Sequence, residues 1–149
     1  SGPAREAAKN VGKLSPGLSY RLYHGVWEML PDFASLTPAK EGVATEVNMG
    51  LTQRRDALAL DFNGYFYAAQ KQVVAKDYGL DHGNEVLIDN DGLHKITVKS
   101  AITTLKKGYH PIRVSYFEAG GQEDLGLSVE GPGFAKTPVT ASMLWHAPK

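Results

Sequence analysis

The residues with the clearest chemical potential lie in one acidic stretch, residues 77–94. This stretch has no Lys or Arg, and it holds five carboxylates: Asp77, Asp81, Glu85, Asp89 and Asp91. Asn84 and Asn90 add neutral oxygens, and three glycines permit tight loops. Ca²⁺ takes about six to eight oxygen ligands from carboxylates, amides and main-chain carbonyls. The composition therefore favours a calcium site, although the same Asn and Asp residues could serve only as turn formers between strands.

Tyr78 lies inside the acidic stretch and points to a sugar-binding use of the same loops. Exposed aromatic rings stack on sugar rings, while neighbouring carboxylates accept hydrogen bonds from sugar hydroxyls. The other aromatic residues are spread along the whole chain. Because sandwich cores also use aromatic side chains, only Tyr78 is assigned to a ligand site.

Composition and motifs exclude several other classes of protein. The 149 residues include 16 Lys and Arg against 16 Asp and Glu, so the surplus of positive charge that nucleic-acid binding needs is missing. There is no Cys, which excludes disulfides and thiolate metal sites. No apolar run approaches the ~18 residues that insertion into a membrane requires. No catalytic motif is present and the five His are scattered, so we expect no enzyme activity.

The elements that must position the acidic stretch have the pattern of an all-β domain. The clearest strands are residues 57–62, 110–117 and 125–129, where apolar residues alternate with polar or small ones. Weaker strand patterns occur at residues 18–23, 72–75, 85–88, 96–99, 102–105 and 139–144. Because about nine strands in one antiparallel sheet would leave an apolar face in water, we expect a two-sheet antiparallel β-sandwich.

The N-terminal part of the chain differs from the rest. Residues 1–15 are predicted to be a tail or linker, with a docked helix as the open alternative for residues 4–14. Residues 16–149 are predicted to form a single β-sandwich domain. Residues 25–33 lack alternation, so a short helical turn is expected there to cover one end of the core.

Five groups of sequence fragments, in order, resemble one known family over residues 16–148. They are GLSY, YHGVW and LPDF in residues 17–33; RDALALDFNGY at 55–65; DNDGLH at 89–94; GYHPIRVSYFE at 108–118; and EGPG with PVTASML in 130–144. Together they resemble the protective-antigen fourteen-kilodalton domain, a β-sandwich module. Each fragment alone is a weak signal, whereas all of them in the right order are specific.

The resemblance implies where calcium and sugar would bind. Sugar-binding members of the family hold Ca²⁺ with an Asp-Asp pair followed by Gly, and a later loop adds Asn or Asp oxygens. That motif falls here on Asp81, His82 and Gly83, with His in place of the second Asp. The implied metal ligands are Asp81, Asp89 and Asp91. The implied ligand-binding residues are Asp81, His82, Tyr78, Asn90 and Asp91.

The resemblance and the acidic stretch together predict a non-catalytic carbohydrate-binding module of an exported multidomain protein. Its expected partners are a glycan or polysaccharide and the other domains of the same polypeptide. Its expected location is extracellular, cell-surface or periplasmic. The alternative is a structural or protein-interaction module that has lost its calcium and sugar site, because His is a poor ligand for Ca²⁺.

Overall fold

The structure is a computed structural model, and it describes residues 4–27, 31–47, 50–51, 57–69, 72–78, 85–88, 94–96, 100–118, 125–131 and 134–148. Within these ranges the strands are β1 Ser15–Pro16, β2 Leu18–His24, β3 Lys40–Ala44, β4 Leu58–Ala68, β5 Gln72–Tyr78, β6 Glu85–Ile88, β7 His94–Ile96, β8 Ser100–Leu105, β9 Gly108–Glu118, β10 Leu125–Gly131, β11 Phe134–Pro138 and β12 Leu144–His146. All pairings between these named strands are antiparallel.

The strands form two sheets, which confirms the predicted sandwich. The large sheet has eight strands in the order β1-β12-β4-β9-β6-β7, with β2 also paired to β4 and β3 paired to β2. The small sheet has the order β11-β10-β5-β8. Strand β4 is central to the large sheet because β9 follows it along one edge, while β2 and β12 share the other edge.

The core lies on the inner face of the large sheet. Leu58, Leu60 and Phe62 alternate along β4 and have no exposed surface, as the period of two predicts. Leu18 of β2 and Leu105 of β8 join the same cluster, so the core is contacted from both sheets. Burial of such side chains contributes roughly 1.5–3 kcal/mol each.

A smaller apolar cluster covers one end of the large sheet on its outer face. Tyr23, Ala59 and Phe117 are buried there beneath three partly buried residues of the 25–36 segment: Trp27, Phe33 and Leu36. A 3-10 turn spans Phe33–Ser35, and the Asp32 carboxylate accepts a hydrogen bond from the Ala34 backbone N–H at 3.2 Å. A short helical turn is thus confirmed, but it begins at Phe33, the last residue of the predicted segment, and it covers the smaller cluster rather than the main core.

Residues 4–14 are neither helical nor detached from the sandwich. Arg5 forms an isolated bridge with Leu105, and the Ala8 backbone N–H donates to the Tyr109 carbonyl at 2.8 Å. Glu6 also forms an ion pair with Lys106. The open alternative of a docked helix is therefore wrong for this segment, which is joined to the β8–β9 hairpin through Arg5, Glu6 and Ala8.

Other sequence-based elements need correction at the C-terminal end. The strand expected at residues 139–144 is wrong, because a 3-10 turn occupies Ala141–Met143 and separates β11 from β12. The strands β1, β3, β11 and β12 were not predicted. Strand β3 lacks the apolar alternation of the others because four of its five residues are exposed.

Candidate functional site

The predicted ligand and metal residues lie mostly outside the described part of the chain. Tyr78 is the last residue of β5, paired with Leu125 of β10. The other predicted site residues fall outside the described ranges: Asp81, His82, Asp89, Asn90 and Asp91. The calcium and sugar site at these residues stays a prediction.

Strand β6 lies between the two segments that carry those residues. Residues 79–84 lead from Tyr78 in the small sheet to Glu85 in the large sheet, and residues 89–93 follow Ile88. Because β6 has four residues, its two ends are about 10 Å apart, and one segment adjoins each end. Strand β6 pairs with β9, from Glu85 opposite Ser115 to Ile88 opposite Ile112.

The described residues reveal a second feature, on the outer face of the large sheet. Alternation places side chains from neighbouring strands on this face side by side, and the register aligns Arg21 with Asp61 and Asp61 with Ser115. Asn63 stands opposite both Ser19 and Arg113. Polar groups from three strands therefore converge at the middle of this face.

A buried ion pair anchors these polar groups. Arg113 donates to both oxygens of the Asp61 carboxylate, Nε to Oδ1 at 2.8 Å and one terminal nitrogen to Oδ2 at 3.0 Å. The Ser115 hydroxyl donates to Asp61 Oδ1 at 3.0 Å. The Asp61 side chain is only 7% exposed, whereas that of Arg113 is 32% exposed. The Arg113 guanidinium also lies 5.6 Å from the centre of the Phe33 ring, so its orientation is fixed from two sides.

A second ion pair lies nearer the edge of the sheet. Arg21 Nε contacts Glu41 Oε1 at 2.9 Å, and each side chain is about half exposed. Pairs in such solvent-exposed positions contribute about 0–1 kcal/mol to stability. This pair therefore shapes the surface more than it stabilises the fold.

These polar residues line two adjoining cavities that form one groove, which we call the outer groove. The first cavity has a volume of about 580 Å³ and reaches from Val43 to Asn63. The second has a volume of about 380 Å³ and reaches from Asn63 to Pro111. Four residues line both cavities: Ser19, Asn63, His146 and Ala147.

His146 lines the outer groove with a defined tautomer. Its Nδ1 lies 3.0 Å from the Gly17 carbonyl oxygen. Because a carbonyl oxygen only accepts, Nδ1 is the donor in this hydrogen bond. Beyond the groove, the outer face continues as an aromatic cluster in which Tyr109 packs 4.7 Å from Tyr67 and 6.2 Å from Trp145, between ring centres.

The sequence analysis missed the outer groove, although a signal was present. Asp61 is a charged residue in the middle of an otherwise apolar strand, and its side chain lies on the face of β4 opposite Leu60 and Phe62. Arg113 stands at an equivalent alternate position in β9. A charged residue within each of two apolar strands indicates that each strand has one polar face, although which strands pair becomes visible only in the fold.

His110 is a buried titratable residue beneath the N-terminal segment. Its Nε2 donates to the Lys106 carbonyl oxygen at 2.6 Å, and its Nδ1 is buried and has no hydrogen-bond partner among the described residues. Burial lowers the pKa of His110 below 6.5, which outweighs the hydrogen bond to Lys106 that raises it. Arg5 lowers this pKa further and Glu6 raises it.

This lowered pKa predicts a loss of stability in acid. The unfolded chain binds a proton at His110 near pH 6.5 and the folded chain only at lower pH, so stability falls as the pH drops below 6.5. Unfolding followed from about pH 8 to about pH 5 is expected to show this decline in the wild type. In His110→Gln, whose amide keeps the donor to Lys106, the decline is expected to be smaller. An equal decline in both proteins would contradict the assignment.

No three His, Asp or Glu side chains in the described part of the chain are grouped as a metal site requires. No helix there has the length and apolarity needed to cross a bilayer.

Comparison with solved structures shows relatives with this fold. An anti-sigma factor domain-containing protein from Clostridium clariflavum is 19% identical, with a TM-score of 0.68 over 99% of this chain and 53% of that one. The chain thus spans about half the length of that protein and of another of the same description, of which 48% is covered. Among curated proteins, none matches this chain.

Two other relatives are similar over nearly their whole length. The epithelial adhesin 9 A domain from Candida glabrata, in complex with Galβ1-3GlcNAc, is 10% identical with a TM-score of 0.68, over 97% of this chain and 95% of that one. The PA14 sugar-binding domain from an RTX adhesin is 11% identical with a TM-score of 0.61, over 89% of this chain and 99% of that one. The sequence profile of the PA14 domain matches residues 15–141. This chain belongs to the PA14 domain family.

Proposed function

We propose that this chain is a non-catalytic carbohydrate-binding module of an exported, multidomain protein. The observation that carries the proposal is the family membership, together with relatives of the same fold that are sugar-binding adhesin domains. The expected location is extracellular, cell-surface or periplasmic. The two relatives of about twice this length support a role as one module in a longer polypeptide.

The proposed glycan site consists of the two segments that flank β6. Asp81 and His82 come from the first segment, Asn90 and Asp91 from the second, and Tyr78 ends the strand before them. The two segments adjoin opposite ends of β6, which are about 10 Å apart. Carboxylates and amides in this lysine-free and arginine-free stretch would accept hydrogen bonds from sugar hydroxyls.

Calcium at this site would be held by Asp81, Asp89 and Asp91. His82 stands where the sugar-binding members of the family supply a second carboxylate, and Ca²⁺ prefers oxygen ligands. We therefore propose a weak calcium site. Calcium sites of extracellular modules have a Kd on the order of 10⁻⁴–10⁻³ M.

Titration with β-lactose and Galβ1-3GlcNAc, in Ca²⁺ and in a chelator, tests this function by calorimetry. Asp81→Asn and Asp91→Asn are each expected to weaken binding by at least roughly tenfold, since each removes charged acceptors from sugar or metal. His82→Asp is expected to strengthen Ca²⁺ binding, seen as a larger rise in unfolding temperature with added Ca²⁺. Glu6→Gln is the matched control, because it also removes a carboxylate, but one that pairs with Lys106 and belongs to neither proposed segment.

The second candidate is a structural or protein-interaction module without a ligand at these segments. His82 favours it, because His is a poor ligand for Ca²⁺. It predicts that neither disaccharide, nor any sugar on a glycan array, binds at millimolar concentration with or without Ca²⁺. It also predicts no thermal shift on adding Ca²⁺, whereas a ligand of the folded state must raise stability. That combination of results would overturn the carbohydrate-binding proposal.

A further inference from the structure

We propose that the outer groove is a second ligand site, which binds a linear neutral oligosaccharide without calcium. It shares no residue with the segments around β6 that form the first proposed site. The proposal rests on the shape, charge and hydrogen-bonding groups of the groove.

The shape of the groove suits a linear chain. Its two cavities adjoin at Ser19, Asn63 and His146, so they form one continuous depression. The groove crosses β3, β2, β4 and β9, which are neighbours in the large sheet. Three spacings between adjacent strands give a length of about 14 Å. A groove of this length is longer than a single small, compact ligand would fill.

The charge of the groove favours a neutral ligand. Its two arginines are each paired with a carboxylate, Arg21 with Glu41 and Arg113 with Asp61. These four charges sum to zero, so neither an anionic nor a cationic chain gains a net attraction. Sugar hydroxyls both donate and accept, and they can therefore bond to both members of the half-exposed Arg21–Glu41 pair.

The groove offers hydrogen-bonding groups between apolar surfaces. The Asn63 side chain is exposed, Ser19 is half-buried, and the His146 ring lines both cavities. Val43 at one end is 52% exposed, and Tyr65 lines the other end. Sites that bind small molecules combine apolar contact surfaces with a few placed polar groups, and sugar rings need both.

The position of the groove argues against two other kinds of ligand. An extended peptide usually joins a sheet at its edge, where backbone groups are free. The groove lies instead on the face of the sheet, where β2, β4 and β9 are already paired with one another. A nucleic acid would need a surplus of positive charge, which the paired arginines do not supply.

An NMR titration of the ¹⁵N-labelled chain tests the proposal with neutral hexasaccharides of glucose, xylose and mannose, in the presence of a chelator. Hexagalacturonate and de-acetylated chitohexaose are the anionic and cationic comparison chains. At least one neutral chain is expected to shift the amide signals of Ser19, Asn63 and Tyr65 at millimolar concentration. If no neutral chain shifts them, or only a charged chain does, the proposal is overturned.

Variants separate the outer groove from the first proposed site. Asn63→Ala and Tyr65→Ala are each expected to weaken binding of the neutral chain by roughly tenfold. Tyr67→Ala is the matched control, because Tyr67 lies two residues along the same face of β4 but packs on Tyr109 outside the groove. Binding lost in these two variants but kept in Asp81→Asn supports the groove site. Binding lost in Asp81→Asn but kept in Asn63→Ala and Tyr65→Ala overturns it.

Discussion

Replacing Arg113 with methionine is expected to lower the free energy of unfolding by about 3 kcal/mol. The change leaves the Asp61 carboxylate, which is 7% exposed, without the guanidinium that binds both of its oxygens. Removing one partner of a buried pair costs about 3–5 kcal/mol, and the lower end applies here because Arg113 is one-third exposed and Ser115 still donates. Thermal unfolding should therefore shift down by about 6–12 °C.

Arg21→Met is the matched control for this prediction. It makes the same Arg-to-Met change in the ion pair with Glu41, where both partners are about half exposed. The expected loss in the free energy of unfolding is therefore below about 1 kcal/mol. The double variant Asp61→Asn with Arg113→Met should lose less than the sum of the two single changes, because the groups interact directly. Equal losses in Arg113→Met and Arg21→Met would show that burial of Asp61 is not the cause.

Much of the fold could be predicted because buried apolar side chains recur at every second position in the central strands. In β4, Leu58, Leu60 and Phe62 must face the core, and this period of two identifies both the strand and its inner face. Edge and connecting strands lack this constraint. Strand β3 is mostly exposed, and β12 has only three residues, so no periodic pattern could indicate either one.

The residues around Ala57 show how a boundary escapes the sequence pattern. The alternation with Leu58 predicts that Ala57 belongs to the strand, yet its φ of +53° places it in the left-handed region before β4 begins. Its carbonyl oxygen accepts a hydrogen bond from the Gly25 N–H, which brings the 25–36 segment onto the sheet. Such a contact between distant residues is set by tertiary packing, which local periodicity does not encode.

The candidate sites differ in how far the sequence could predict them. The acidic stretch was found from composition, since five carboxylates without a basic residue are visible in the sequence. The outer groove needed the register, because Ser19, Asn63 and Arg113 become neighbours only when β2, β4 and β9 pair. Pairing partners depend on which strands meet in the folded sheet, and no local pattern in a single sequence gives them.

Gly64→Ala is expected to destabilise the chain by about 2–3 kcal/mol. Gly64 lies on β4 where the pairing changes from β2 to β12, so its inward side faces the backbone of the closing strand. A Cβ there would clash with the Trp145 carbonyl oxygen and would stand 2.6 Å from Leu18 Cδ2. Because one obstacle is backbone, β12 must shift away from β4, and His146 at its end would move with it.

Gly42→Ala is the matched control, since the atoms nearest to its Cβ would belong to the Tyr20 side chain, at 3.0 Å and beyond, and not to backbone. Its cost is partly offset by the lower conformational entropy of alanine in the unfolded chain, so the expected change is within about 1 kcal/mol. Urea unfolding of both variants measures the difference. In Gly64→Ala, weaker exchange protection confined to β12 and β4 is also expected, because these strands separate first. If Gly64→Ala were as stable as Gly42→Ala, the close approach of β12 to β4 would not hold in solution.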